Sequence, residues 1–332
     1  MGRNGPGRLI AAAAALGLAA CQSPAGSLQP DFSVGPTEGH ARFDRAAEPI
    51  LRAPAGSIIE VYTDEATGGQ FTERSTLDDF AAVDMSRVHA MTGPIYVEGA
   101  APGDRLAVTL LELEPGDWGW AAVAPGINFL GEENAATGFK TIPIDKAKGV
   151  ARFAEGVEVP LAPFPGILGV AMDTEEALVT FPPRANGGNM DNPFLQEGVT
   201  VYLPVFVEGA LFSIGDAHAA QGFGEVSGAA LEAPMRTVLR LDVVKGEPRL
   251  QEPQYESDAF YATSAYAEDL DEAAKKAMRY MIAHIVAAHG LSEADAFMLC
   301  SLACDLHIPQ VVNAPHRSVV MHISKDIFTG TK

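Results

Sequence analysis

The sequence predicts a mainly β protein, a sandwich or barrel, with an α+β appendage at its C-terminal end. Three observations carry this expectation. Between residues 57 and 244, short apolar runs alternate with Gly, Pro, Asn and Asp turn signals about every ten residues, the spacing of sandwich and barrel strands. Proline is frequent in the same stretch, which suits sheet edges and turns better than helices. Beyond residue 254 the pattern changes, and Ala274, Ala277, Met278, Met281, Ile282 and Ile285 recur at helical spacing.

Residues 1–20 read as a signal peptide. Arg3 and Arg8 form a basic start, and the apolar run 9–18 is too short to span a bilayer. Leu18-Ala-Ala-Cys21 has the form of a lipobox with cleavage before Cys21, whose thiol would carry lipid and anchor without spanning. An ordinary secretory signal with a chance cysteine is the plainer alternative. Gln22 follows the cysteine where an aspartate would retain a lipoprotein in the inner membrane. The expected location is therefore the periplasm-facing side of a Gram-negative outer membrane. Residues 21–36 are rich in Ser, Pro and Gly and read as a flexible tether.

Residues 37–253 form the expected β-rich core. Strands are expected at 57–62, 93–97 and 105–111, the last two flanking the turn Pro102-Gly-Asp104, then at 156–161, 166–171, 199–207, 210–214 and 237–244. Residues 254–332 form the α+β subdomain. Its first helix runs over 269–289 and stops at Gly290. Ser292, with Asp295 three residues on, caps a second helix reaching about Leu306. Val311-Val312 and 318–323 read as strands.

The chain has 332 residues, nearly half of them hydrophobic, enough for a sizeable core. Its net charge of −20 argues against nucleic acid and against docking on anionic lipid through a basic patch. Membrane contact is thus expected only through the lipid. Cys300 and Cys304 lie four apart in the helical pattern, a spacing that rarely meets disulfide geometry, so buried free thiols are expected.

The chemistry concentrates in Asn186-Gly-Gly-Asn-Met-Asp191, Gly215-Asp-Ala-His218 and Gly222-Phe-Gly-Glu225. Oxygen and imidazole donors on glycine-rich turns suit a divalent cation, zinc first and calcium second. Asp216 and His218 are two apart, which on extended backbone puts both side chains on one face, at the rim where the strand ends. Alone, such a pair more often caps a turn. Glu225, between flexible glycines, could ligate a metal or act as general base, or be a solvated turn acid. Asp191 could be a third ligand or a turn residue. No Gly-x-Ser-x-Gly elbow occurs, which leaves metal-activated water rather than an acyl-enzyme.

The segments Pro182-Pro-Arg-Ala-Asn-Gly-Gly-Asn-Met-Asp191 and 202–222, with Thr92-Gly-Pro-Ile-Tyr-Val-Glu-Gly-Ala100, Pro102-Gly-Asp104, Asp64, Gly69-Gln70 and Gln310-Val-Val312, resemble the acetamidase/formamidase family. The resemblance spans roughly residues 55 to 328. It implies a β-rich fold and metal-dependent hydrolysis of small linear carboxamides to ammonia and a carboxylate. Within that frame Asp216, His218 and Asp191 are the expected metal ligands. Glu225 is the proton carrier, and Asn186 or Asn189 the group near the oxyanion. His89, at the offset of a family histidine, is expected to orient substrate, together with Gln221 and Phe223. A homodimer is the expected assembly. The chain departs from the family pattern at Phe223, where an aspartate is common, and at Ala90 and Ala101. The aromatic replacement would point into the pocket and narrow it, and a non-catalytic ligand-binding lipoprotein on the same scaffold is the alternative function.

Cys21→Ser is expected to abolish acyl labelling and release the protein from the membrane fraction. Fractionation with a labelled fatty acid checks this, and an unchanged membrane pool that never takes up label would contradict it.

Overall fold

A computed structural model describes residues 28–37, 40–246 and 249–330, so the leader and Cys21 lie outside the described residues. Two large sheets share one core. The first has nine strands in the order Phe32–Val34, Ser57–Thr63, Met235–Val244, Arg105–Pro115, Thr200–Pro204, Gln254–Glu256, Phe260–Ala267, Arg317–Ser324 and Cys304–His307. Ser57–Thr63 alternates buried and less buried residues, as expected of a strand with one face on the core. The second, ten-stranded sheet is centred on Phe212–Ala220. That strand pairs antiparallel with Phe164–Val170, with Met91–Glu98 and with Leu231–Glu232. Ile59, Leu106 and Val108 from one sheet pack in the same cluster as Phe164, Leu168, Phe212 and Ile214 from the other. The mainly β expectation therefore holds, as does the sandwich-like layering.

Most strand positions follow the sequence pattern, but Val311-Val312 lies in a loop held by Gln310, and one further exception is informative. The strand expected at 210–214 instead runs over Phe212–Ala220, and every residue in it is buried. Asp216 and His218 are thus inside a central strand and not at a rim. Their polarity hid the strand's continuation, because these side chains are buried among other polar groups and not in water.

Past residue 254 the strands continue the nine-stranded sheet: Tyr255 pairs with Val201, and Phe260–Ala267 pairs in turn with Gln254–Glu256 and Arg317–Ser324. The helix Leu270–His289 covers this end. Asp269 caps it by accepting from the Glu272 N–H at 3.0 Å, and Gly290 ends it in the left-handed region at φ 70°. Ala273, Ala277, Met281 and Ile285, four residues apart, form its buried stripe against the sheet. The next helix is Glu293–Ala303, shorter than expected. Cys304 leaves helical geometry at φ −108° and opens the edge strand Cys304–His307, pairing with Ile323. The two thiols are therefore not on one helix face. Both are free, but only Cys300 is fully buried.

His322 lies beneath this layer. Its ring packs 4.0 Å from Phe194, and its Nε2 is hydrogen-bonded to the Tyr255 hydroxyl at 2.5 Å. Burial, helped by nearby His307, pushes its pKa down to about 3. The unfolded chain, with histidine near 6.5, binds a proton that the native state refuses between these values. Stability from this residue is therefore full above pH 6.5 and is lost as pH falls towards 3. At pH 5 the loss is about 2 kcal/mol. In urea titrations His322→Gln should lose about 2 kcal/mol less than wild type between pH 7 and pH 5. Equal losses would contradict this assignment.

Candidate active site

Three carboxylates enter one cavity from residues with left-handed backbone. Asp191 follows the short strand Gly187–Asn189 at φ 41°, Asp216 lies mid-strand at φ 51°, and Glu225 ends its glycine-rich turn at φ 48°. Such conformations cost of order 1–3 kcal/mol each outside glycine and persist where surrounding structure enforces them. Extended alternation therefore does not explain why Asp216 and His218 share a cavity; a local left-handed turn within the strand brings them together.

His218 is the hub. Its Nε2 lies 3.8 Å from Asp191 Oδ1, 3.9 Å from Asp216 Oδ2 and 3.1 Å from Glu232 Oε2. Glu232 sits directly opposite His218 in the paired strand. The other ring nitrogen, Nδ1, is 2.9 Å from Gln221 Oε1. Gln221 has no freedom to turn its amide over, because its Nε2 donates to the carbonyls of Asp191 at 2.9 Å and Pro309 at 3.1 Å. Its oxygen must accept, so His218 Nδ1 carries a proton and Nε2 is turned to the carboxylates. Gln221 thus orients the imidazole and does not reach the cavity.

Asp191 Oδ1, His218 Nε2, Glu225 Oε2 and Glu232 Oε2 are buried and make no hydrogen bond. Asp191, Asp216 and His218, and likewise His218, Glu225 and Glu232, can each bring donor atoms within 4.8 Å of one another. No lysine or arginine is among the described residues lining the cavity. Burial raises Asp216 and Glu225 well above the usual carboxylate range, with Glu232 adding to the first and Asp191 to the second. Burial alone would lower His218, but Glu232, Asp191 and Asp216 outweigh it and hold it well above the ordinary histidine range. Glu232 is shifted the other way, against its burial, because the His218 imidazole and the Ala230 N–H favour its carboxylate form. Several carboxylates, one imidazole and orphaned inward-facing donors fit a hard or borderline divalent cation.

The surrounding structure fixes this geometry. A Cβ on Gly166 would stand 2.5 Å from Asp191 Oδ1, 2.5 Å from the Asp216 carbonyl oxygen and 2.8 Å from His218 Cε1. From the C-terminal segment, Asn313 donates to Asp191 Oδ2 at 2.5 Å and to the Asn189 carbonyl at 3.3 Å. Gln310 Oε1 in turn accepts from the Val312 and Asn313 N–H groups, both at 2.9 Å. The Gly224 N–H donates to the Pro309 carbonyl at 2.8 Å, tying the Glu225 turn to the same segment.

The cavity, about 310 Å³, is lined by Asn189, Asp191, Asp216, Glu225, Glu232 and His89 on its polar side. His89 packs 4.4 Å from the Phe181 ring, with Nε2 3.9 Å from Asp216 Oδ2. Burial brings its pKa down to about 4, so the ring is neutral near pH 7.

Besides Gln221, two expected site residues lie elsewhere. Asn186 is buried, but its Nδ2 donates to the Val170 carbonyl at 2.7 Å and it does not line the cavity. Phe223 is 49% exposed, packs 4.9 Å from Phe194 and stacks on His307 at 5.5 Å, outside the cavity. Phe194 and His307 provide an apolar surface that draws the ring outward, so Phe223 does not narrow the pocket. Glu232 and Asn313 went unrecognised in the sequence. A lone acid in the apolar run Ala229-Ala-Leu-Glu-Ala233, a hairpin's length after His218, was the signal for Glu232.

Gly166→Ala is expected to cost about 1–3 kcal/mol, because the added methyl must displace the cluster's own atoms. Denaturant unfolding checks this, and a change below measurement error would show that the cluster is not packed as described.

The acetamidase/formamidase family model matches residues 29–176 and 172–330. An acetamidase from Bacillus halodurans, known as a crystal structure, is 33% identical, with a TM-score of 0.83 over 89% of this chain and 98% of that one. A predicted acetamidase/formamidase from Thermoanaerobacter tengcongensis is 32% identical, with a TM-score of 0.82 over 90% of this chain and 96% of that one. An acetamidase from Mycolicibacterium smegmatis is 28% identical over 63% of this chain and 66% of its own length. The family match extends over both halves of the sandwich and the C-terminal segment, and the chain belongs to the acetamidase/formamidase family of amidases.

Proposed function

We propose that this chain hydrolyses the carbon–nitrogen bond of linear carboxamides, giving ammonia and a carboxylate, with a divalent cation, zinc, held by Asp191, Asp216 and His218. The observation that carries this is the set of buried atoms on Asp191, His218, Glu225 and Glu232 that face one another and have no hydrogen-bond partner outside the cluster. Glu232 stands within reach as a further ligand. A cation at this position polarises a carbonyl and makes water a nucleophile near neutral pH.

The chain's own residues supply the rest. Glu225 lies on the cavity wall and takes the proton from attacking water, then returns it to the departing nitrogen. Gln221 keeps His218 in the tautomer whose Nε2 is free to bind a cation. Asn313 holds the second oxygen of Asp191, leaving Oδ1 directed inward. His89, neutral, and Asn189 offer polar contacts for the amide.

The leader and Leu18-Ala-Ala-Cys21 support placing the enzyme on the periplasmic side of an outer membrane through lipidated Cys21.

The test is ammonia release from formamide and acetamide by protein of known metal content. The expected result is about one equivalent of metal, activity lost on chelation and regained with zinc, and metal content reduced in Asp216→Ala and His218→Ala. Full activity in metal-free protein would contradict the metal assignment. Absence of hydrolysis with metal loaded would favour a ligand-binding role instead.

A further inference from the structure

We infer that the site is built for amides carrying a flat aromatic acyl group, of the benzamide type, and not for the smallest amides; this rests on the amidase function proposed above. The cavity divides along its depth. Its floor holds the buried carboxylates Asp191, Asp216, Glu225 and Glu232. Its mouth carries Met85 at 54% and Ile127 at 38% exposure, apolar residues from two surface segments. The rest of its lining is largely aromatic and aliphatic, with Phe71, Phe80, Trp120 and Phe181 among it. Phe71 meets Trp120 edge-on at 5.2 Å, so the wall is a packed cluster.

The polar groups in this throat are already spent. Trp120 Nε1 donates to Glu65 Oε2 at 2.8 Å, leaving its carbon faces to line the cavity. Thr67 Oγ1 donates to Glu65 Oε1 at 2.5 Å. The same carboxylate accepts from the Thr67 and Gly69 N–H groups, both at 3.0 Å. Glu65 thus gathers the wall's hydrogen-bond donors behind it and leaves an apolar throat over a polar floor.

A substrate entering amide-first places its carboxamide at the floor and its acyl substituent in the throat. Formamide and acetamide have almost nothing to place there. A cavity of about 310 Å³ falls at the low end of the range that encloses drug-sized ligands, roughly 300–1,000 Å³. An aryl ring buries a large apolar area and meets aromatic walls edge-on or offset, the favoured arrangements.

The experiment compares benzamide with acetamide on the metal-loaded protein, by ammonia release and by quenching of tryptophan fluorescence. The expected result is a kcat/KM for benzamide at least tenfold above that for acetamide, and quenching by benzamide at concentrations at least tenfold lower. Val83→Asp, which puts a charge in the throat, should lower the benzamide-to-acetamide ratio at least tenfold. Phe181→Ala should lower it too, should the charged variant fail to fold. Acetamide turned over as efficiently as benzamide, or more so, would overturn this inference while leaving the amidase function intact. If neither amide is hydrolysed, the hydrolase proposal fails. Tighter benzamide binding by fluorescence would then still support an aryl-amide site, and equal or absent binding would overturn it.

Discussion

The structure turns on one electrostatic problem. Asp191, Asp216, Glu225 and Glu232 are buried together around the His218 imidazole, with no lysine or arginine among the described residues of the wall they share. Isolated carboxylates in such surroundings are costly, and they survive only by holding protons or facing a cation. Burial and mutual repulsion push the Asp216 and Glu225 carboxyls up, while the surrounding carboxylates push the His218 imidazole up. The left-handed backbone at Asp191, Asp216 and Glu225 is a second cost borne at the same place. Two unfavourable features converging on one cavity mark where the fold has been shaped by chemistry and not by stability.

The rest of the molecule supplies the rigidity this needs. Phe212–Ala220 is buried along its whole length and paired on both edges, so Asp216 and His218 stand on one of the best-supported strands of the sandwich. Gly166 on the neighbouring strand leaves room for the cluster, since any side chain there would collide with it. The C-terminal segment closes the site through Gln310 and Asn313 and buttresses the Glu225 turn through Pro309. The loop at Pro309 to Asn313 therefore completes the site, while the helices and strands around it extend the sheet.

Much of this was legible in the sequence. Turn spacing and proline usage gave the β architecture, and helical periodicity with Ser292 and Gly290 gave the C-terminal helices. The Asp216–His218 pair and the Asn189 to Asp191 turn stood out because polar residues on glycine-rich turns break the apolar pattern. Other features were hidden for physical reasons. A strand that carries polar residues into a buried site looks like a loop, which is why Phe212–Ala220 was cut short. Glu232 and Asn313 join the site through strand pairing and a distant segment, neither of which leaves a local pattern. Phe223 was expected inward because it flanks Glu225, but neighbours in sequence can face opposite ways, and Phe194 and His307 hold its ring outside.

The most direct test of the central claim is an anomalous difference map from crystals of the protein grown with zinc, recorded on both sides of the zinc absorption edge. A cation that resolves the buried charge predicts one strong peak enclosed by Asp191, Asp216 and His218, within ligand distance of His218 Nε2. A map with no peak in this cavity, from protein that still hydrolyses amides, would contradict it.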